Sequence, residues 1–360
     1  MIDVVVPVYR GEAATRRCLE SVLAAPQRTP FELVVVDDAS PEPAICAWLD
    51  ELHAARRITL LRNAANEGFV RSVNRALALH PERDVVLLNS DTEVANDWLD
   101  RLAACVARDS AIATATPFSN HATICSYPFN GWTGGVPGTL GLAALDRLFA
   151  SVNSGQSAPI PTGVGFCLYL RRACLDALGS FDAERFGRGY GEENDYCLRA
   201  AAHGWRNVVA ADVFVYHEGA VSFSDEREAR TREAGELLRE RHPGYDRMIA
   251  EFVAADPLQP FREAVDTARD HLGERERAEL RAEAAAGRAL LAEHMANTAE
   301  LVAALDHAQH LVTERDAEIA KLTAAFHHAE KLALEREAEL ERIRRSALLR
   351  GLYRIVRSRR

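Results

Sequence analysis

Four short apolar runs, Ile2–Val6, Leu33–Val36, Ile58–Leu61 and Val85–Leu88, alternate with helix-forming stretches over the first hundred residues. The stretches between and after them are Glu12–Ala24, Ala44–Ala54, Phe69–Leu79 and Trp98–Arg108. A near-continuous apolar run of this length reads as a strand covered on both faces. Strands that alternate with helices build a parallel sheet through right-handed crossovers. The pattern therefore predicts an α/β fold with a Rossmann-like, mostly parallel sheet flanked by helices. Such a sheet binds ligands outside the carboxyl ends of its strands.

Beyond this repeat, strands are expected at Ala111–Thr116, Gly163–Leu170 and Val208–His217, and helices at Leu140–Ala150, Arg171–Leu178 and Glu192–Ala202. Pro117–Pro161 is rich in Gly, Pro, Ser and Asn and reads as a long functional loop region. After about Ser224 charge rises, glycine thins out and strand signals stop. The expected division is 1–223 for the α/β domain, 224–257 for a helical extension packed on it, 258–347 for a long helix and 348–360 for a basic tail.

Several classes are excluded. A net charge of −10 argues against nucleic acid as the partner. The seven cysteines are scattered without a C-x-x-C pair, which argues against a zinc site or a disulfide framework. No apolar stretch approaches the roughly 18–20 residues of a membrane span, and the strand-like run directly after Met1 leads us to expect no secretory leader. The expected location is cytoplasmic.

The long helix carries a row spaced by seven: Leu291, Thr298, Leu305, Val312, Ile319, Phe326, Ala333, Leu340 and Ala347. A companion row three residues on holds Leu301, Ala308, Leu322, Ala329 and Ile343, interrupted by Arg315 and Arg336. This is an imperfect coiled-coil seam, suited to self-association or a partner protein; the alternative is one helix folded back on the domain. Eight arginines and no acid lie between Arg342 and Arg360, among Leu, Ile, Val and Tyr. That end suits either peripheral contact with an anionic membrane or a solvated helix terminus.

The chemistry gathers at the strand exits. Val4-Val5-Val6-Pro7-Val8-Tyr9 leaves the first strand, and Val34-Val35-Val36-Asp37-Asp38-Ala39-Ser40 leaves the second. Asn63-Ala64-Ala65-Asn66-Glu67-Gly68-Phe69 opens a helix that also carries Arg71, and Val85-Val86-Leu87-Leu88 runs into Asn89-Ser90-Asp91. All four should line one crevice. Asp38 can accept from a base N–H or a ribose hydroxyl; an acid before Ser40-Pro41 also suits a turn or a helix cap, the reading that fits Asp37. Gly68 permits close backbone approach to a ligand. Gly187 to Gly191 is no dinucleotide fingerprint and reads as a mobile loop; His217-Glu218 lacks the second histidine of a zinc protease helix.

In order and spacing these segments resemble the nucleotide-sugar-binding half of a family 2 glycosyltransferase with the GT-A fold. The likeness extends through Thr162-Gly163-Val164-Gly165-Phe166-Cys167-Leu168, Leu178-Gly179-Ser180-Phe181-Asp182 and Gly191-Glu192-Glu193-Asn194-Asp195-Tyr196-Cys197-Leu198-Arg199. It spans residues 2 to 220 and is nearest to bacterial members that build surface polysaccharides.

The resemblance implies an inverting, metal-dependent transfer of a sugar from a nucleotide-diphosphate sugar to a hydroxyl of a cell-surface glycan, free or lipid-linked. It implies donor contacts from Pro7, Tyr9, Asp38, Asn66, Gly68, Arg71 and Ser90. Asp91 corresponds to the last acid of the family's D-x-D motif, with Asn89 in place of the first. His217 is similar to the histidine that completes the metal shell, and the cation implied is Mn²⁺ or Mg²⁺, imidazole suiting Mn²⁺ better. Glu193 corresponds to the general base, with Glu192 as its rival, and Gly163, Glu192 and Asp195 lie on the acceptor side. All three acids also suit the dipole of a helix start. The missing acid at Asn89 leaves a second reading, a catalytically weakened nucleotide-sugar- or glycan-binding domain on a coiled-coil scaffold.

Overall fold

The computed structural model describes residues 1–136, 140–187, 189–219, 224–271 and 274–357. They divide into two units, Met1–Arg288 and Ala289–Arg360.

The first unit opens with β1 (Ile2–Val8), α1 (Glu12–Ala24), β2 (Phe31–Asp37), α2 (Pro43–Ala54), β3 (Thr59–Arg62), α3 (Phe69–Leu77) and β4 (Asp84–Leu88). A two-residue strand, β5 (Thr92–Glu93), precedes α4 (Trp98–Ala107) and β6 (Ile112–Ser119). A long excursion follows, with a 3₁₀ turn at Thr123–Cys125, helix α5 (Leu142–Val152) and strand β7 (Ser157–Pro159). The chain returns through β8 (Cys167–Leu170), α6 (Arg172–Leu178), α7 (Glu192–Ala202) and β9 (Arg206–His217). Helices α8 (Ser224–Arg241), α9 (Tyr245–Ala255), α10 (Gln259–Arg269) and α11 (Glu274–Arg357) end the described chain.

The strand order is β3-β2-β1-β4-β8-β6-β9-β5, with β7 also on β9. β1 runs parallel to β2 and β4, and β2 to β3. β8 runs antiparallel between β4 and β6. The sheet is therefore mixed rather than mostly parallel. The excursion after β6 returns at the carboxyl edge, so the next strand must run downward. The strand expected at Gly163–Leu170 begins only at Cys167. Residues 163–166 form a loop because their N–H groups find side chains instead of a ladder: Gly163 donates to Cys197 Sγ and Val164 to Thr116 Oγ1.

Strand alternation sorts the core. Val4, Val6, Val8, Leu33, Val35, Val86 and Leu88 face Leu19 of α1, Ile45 of α2 and Trp98 of α4. Val5, Val34, Val36, Val85 and Leu87 face Val70 and Val73 of α3 and Tyr196 of α7. Each such side chain contributes about 1.5–3 kcal/mol on burial. Strands fixed on both faces make rigid mounts for the residues at their ends.

Leu258 and Val265 join the first of these layers. Residues 258–288 therefore belong with the first unit, and the long helix starts at Glu274 instead of 258. In the second unit Leu305, Val312, Ile319, Phe326 and Leu340 are exposed at heptad spacing, as are Leu301 and Leu322 of the companion row. The helix also repeats itself after three heptads: Leu301, Ala304, Ala308, Leu311 and Arg315 recur as Leu322, Ala325, Ala329, Leu332 and Arg336. Among the described residues no helix is long and apolar enough to cross a membrane. The basic tail expected at 348–360 lies outside the residues whose side chains are described.

Candidate active site

β4 ends where Asn89 N–H donates to Phe166 O at 2.8 Å. Thr92 then donates back to Asn89 O from both its N–H (3.2 Å) and its hydroxyl (2.7 Å), turning the chain out of the sheet. β5 pairs antiparallel with the end of β9, setting Thr92 opposite His217. Glu218 N–H donates to Asp91 O. This short ladder brings Asp91 Oδ1 within 3.4 Å of His217 Nε2. Both side chains are partly open, at 21% and 14%.

The imidazole of His217 is held on three sides. Phe166 stacks on it at 5.3 Å between ring centroids and His121 at 5.2 Å. His217 Nδ1 lies 2.7 Å from the backbone carbonyl of His121. A carbonyl only accepts, so Nδ1 carries the proton. With Nδ1 so engaged, Nε2 is the ring nitrogen that faces the Asp91 carboxylate. A carbonyl-braced imidazole is the usual support of a metal-ligating histidine. Burial pushes the Asp91 carboxyl up, but the His217 hydrogen bond and the charges of His217 and His121 outweigh it, leaving it below the ordinary value. An ionised carboxylate and an oriented imidazole fit a divalent cation.

One three-residue group of possible ligands exists among the described residues, Asp3, Glu32 and His80. It lies at the amino ends of β1 and β2, away from the crevice. Arg83 Nη1 already bridges it, 2.9 Å from Asp3 and 2.6 Å from Glu32. We read it as an ion network that ties the edge of the sheet.

Asp38, expected on the donor side, is buried and accepts three protein hydrogen bonds. Its Oδ1 accepts from Asn63 Nδ2 and Glu67 N–H, and its Oδ2 from Gly68 N–H, all at 2.8 Å. It fastens the β3–α3 loop, whose Gly68 stands at φ 87° before α3. Asp37 is a turn acid, accepting from Ser40 N–H and Arg62 Nε. Tyr9, Asn66 and Arg71 are exposed, and Pro7 and Ser90 are partly buried.

α7, expected on the acceptor side, follows Gly191 (φ 85°) and presents Glu192, Glu193 and Asp195 in its first turn. Glu192 is buried with Oε2 unbonded. Burial, then the charge of Glu193, pushes its carboxyl well up. Glu193 is half-buried; burial raises it too, partly offset by backbone N–H groups of its own turn. A Cβ on Gly165 would lie 3.6 Å from Glu193 Cδ. The loop at 163–166 thus stacks on His217 through Phe166 and runs beside Glu193 at Gly165. Gly163 is a packing residue: a Cβ there would meet Leu168 Cδ1 at 2.4 Å. Asp195 is tied to Arg199, Arg241 and His242 and joins α7 to the end of α8.

Phe166, Asn120 and His121 were not singled out in the sequence. His121 sits in the polar excursion after β6, where the only signal was the composition of a functional loop.

Comparison with known proteins places these features in a family. The uncharacterized protein y4gI of Sinorhizobium fredii is 26% identical over 263 residues, covering 68% of this chain and 28% of that protein. The O-antigen biosynthesis protein RfbC of Myxococcus xanthus is 26% identical over 243 residues, covering 62% of this chain and 18% of that protein. The chain thus spans less than a third of either relative's length. The crystal structure of GalNAc-T7 with UDP, GalNAc and Mn²⁺ aligns with a TM-score of 0.49 at 18% identity, over 74% of this chain and 55% of that one. Residues 2–236 match the model of glycosyltransferase like family 2, and the chain belongs to that family.

Proposed function

We propose that the first unit transfers a sugar, with inversion, from a nucleotide-diphosphate donor to a hydroxyl of a bacterial cell-surface glycan, free or lipid-linked. The observation that carries this reading is the shared loop at 163–166, with the Asp91–His217 pair on one side and Glu193 on the other. The likeness to an O-antigen biosynthesis protein supports the acceptor class.

Asp91 and His217 would hold the cation, Mn²⁺ or Mg²⁺. When bound, it offsets the charge that develops on the leaving diphosphate. The strand ends with Pro7, Tyr9, Asp38 and Ser90 hold the donor, and Asn66, Gly68 and Arg71 at the start of α3 close its other side. Asp38 has three protein donors and keeps one lone pair on Oδ2 for a nucleoside N–H or hydroxyl. Glu193 takes the proton of the acceptor hydroxyl as that oxygen attacks the anomeric carbon opposite the diphosphate. Its raised pKa makes it a stronger base than a surface carboxylate. Burial and the neighbouring Glu193 charge favour the neutral form of Glu192.

The exposed heptad row of α11 pairs the chain with a second copy, and the arginine-rich end adds contact with the inner face of the membrane. Release of nucleoside diphosphate from a panel of nucleotide sugars, with and without Mn²⁺, tests the catalytic reading. Mn²⁺-dependent release is expected; none with any donor would sink it. Asn89 in place of a second acid favours the binding-domain alternative, which saturable donor binding without release would select.

A further inference from the structure

The loop that braces His217 is itself braced from a distance. Residues 119–135 form few ladder bonds, with one isolated bridge between Ser119 and Ser126. Yet this segment grips His217 at its backbone and its ring. Asn120 Oδ1 accepts from His217 N–H at 2.8 Å, Asn120 Nδ2 donates to His217 O, and the His121 carbonyl accepts from Nδ1. Something must hold the segment in place.

Helix α10 does so, from beyond the region matched by the family model. Arg262 is 2% exposed and donates four hydrogen bonds. Nε donates to Ser126 O at 2.8 Å, and Nη2 to Ile124 O at 3.0 Å and Asn130 Oδ1 at 2.6 Å. Nη1 donates to Asp256 Oδ1, which supplies the counter-charge. One guanidinium thus pins three points of the loop. Ser126 relays the hold: its hydroxyl accepts from Ala122 N–H and donates to Trp132 O. Ala122 adjoins His121. Tyr127 adds a second anchor on the same helix face, donating to Asp266 Oδ1 and accepting from Arg269 Nη1.

We infer that α10 is a strut for the metal side of the crevice and that Arg262 is a positioning residue for His217. This rests on the proposed role of the Asp91–His217 pair. The chain of contacts is Arg262, the 124–130 loop, Ala122, the His121 carbonyl and His217 Nδ1. Loss of an outer partner of a metal-ligating histidine typically weakens metal affinity 10–100-fold.

The test uses the full chain. Arg262→Met keeps the aliphatic stem and removes every donor, Arg262→Lys keeps the charge, and Val265→Ala loosens the same helix at a buried position without touching the loop bonds. Free Mn²⁺ is read by electron paramagnetic resonance and loop protection by hydrogen exchange at 119–132 and at the His217 amide. Arg262→Met should weaken Mn²⁺ binding about 10–100-fold, Arg262→Lys less, and Val265→Ala about twofold at most despite its lower Tm. Faster exchange at His217 should appear in the arginine variants alone. Unchanged Mn²⁺ binding and exchange in Arg262→Met, or equal losses in Val265→Ala, overturn the inference. Wild-type protein that binds no Mn²⁺ would instead sink the metal reading, and the exchange comparison would then decide the strut by itself.

Discussion

Asp38 was expected to serve the donor, yet its carboxylate is the knot of the β3–α3 loop, so its removal should be felt before any nucleotide is added. Asp38→Ala strands three donors: Asn63 Nδ2, Glu67 N–H and Gly68 N–H. Asn63 and Gly68 are buried, whereas Glu67 is exposed and its N–H can turn to water. A stranded buried donor costs about 1–3 kcal/mol, so two of them cost about 4 kcal/mol. The unit Met1–Arg288 has an unfolding entropy of about 0.6 kcal/mol/K at the usual per-residue value. Its Tm should therefore fall by about 7 °C. Calorimetry on nucleotide-free protein reads this directly. A Tm within about 1 °C of wild type, with donor binding alone abolished, would refute the anchoring role.

Glu192 supplies a pH signature. Its carboxyl is raised in the fold, so the neutral form is favoured there. That contribution is full below the unfolded value of about 4.3 and is lost as pH rises through the folded one. Glu192→Gln should thus match wild type near pH 4 and gain Tm over it toward pH 8; a pH-independent difference would contradict the assignment. For Glu193 the same direction puts the acid limb of the transfer rate above the ordinary carboxylate range. Gly163→Ala should cost about 1–3 kcal/mol by overpacking, since its Cβ meets Leu168 and Thr116. Gly165→Ala has ordinary contact distances and should leave Tm unchanged, while the added methyl restricts the swing of the Glu193 side chain and slows transfer. Ile319→Glu should yield monomers by light scattering if the seam pairs two chains, and an unchanged mass would remove that pairing.

The strands and helices of the first unit were legible because their signals are local. Four apolar runs and the helix-forming stretches between and after them specify β1 to β4 and α1 to α4 to within two residues at each end. What escaped depends on partners far along the chain. β5 is two residues long and exists only because β9 lies beside it. The direction of β8 follows from where the excursion ends, which no periodicity encodes. α10 was merged with α11 because both are helix-forming; burial of Leu258, Arg262 and Val265 separates them.

The same division runs through the site. Asp91 and His217 were paired in advance by family order, and the ladder between Thr92 and His217 supplies the reason they meet. Asp195 was placed on the acceptor side, but its charge is spent on Arg199, Arg241 and His242. No local pattern announces that, because two of its three partners come from the end of α8 and the residue after it.

The central claim is an inverting transfer with Glu193 as base beside a cation held by Asp91 and His217. Its most direct measurement is the anomeric configuration of the product, by NMR, from an α-linked nucleotide sugar and a surface-glycan acceptor with Mn²⁺ present, alongside the rate for Glu193→Gln. The account predicts a β-linked product and a rate about 10²–10⁴-fold lower in the variant, with donor affinity kept. An α-linked product, or undiminished transfer by Glu193→Gln, would contradict it.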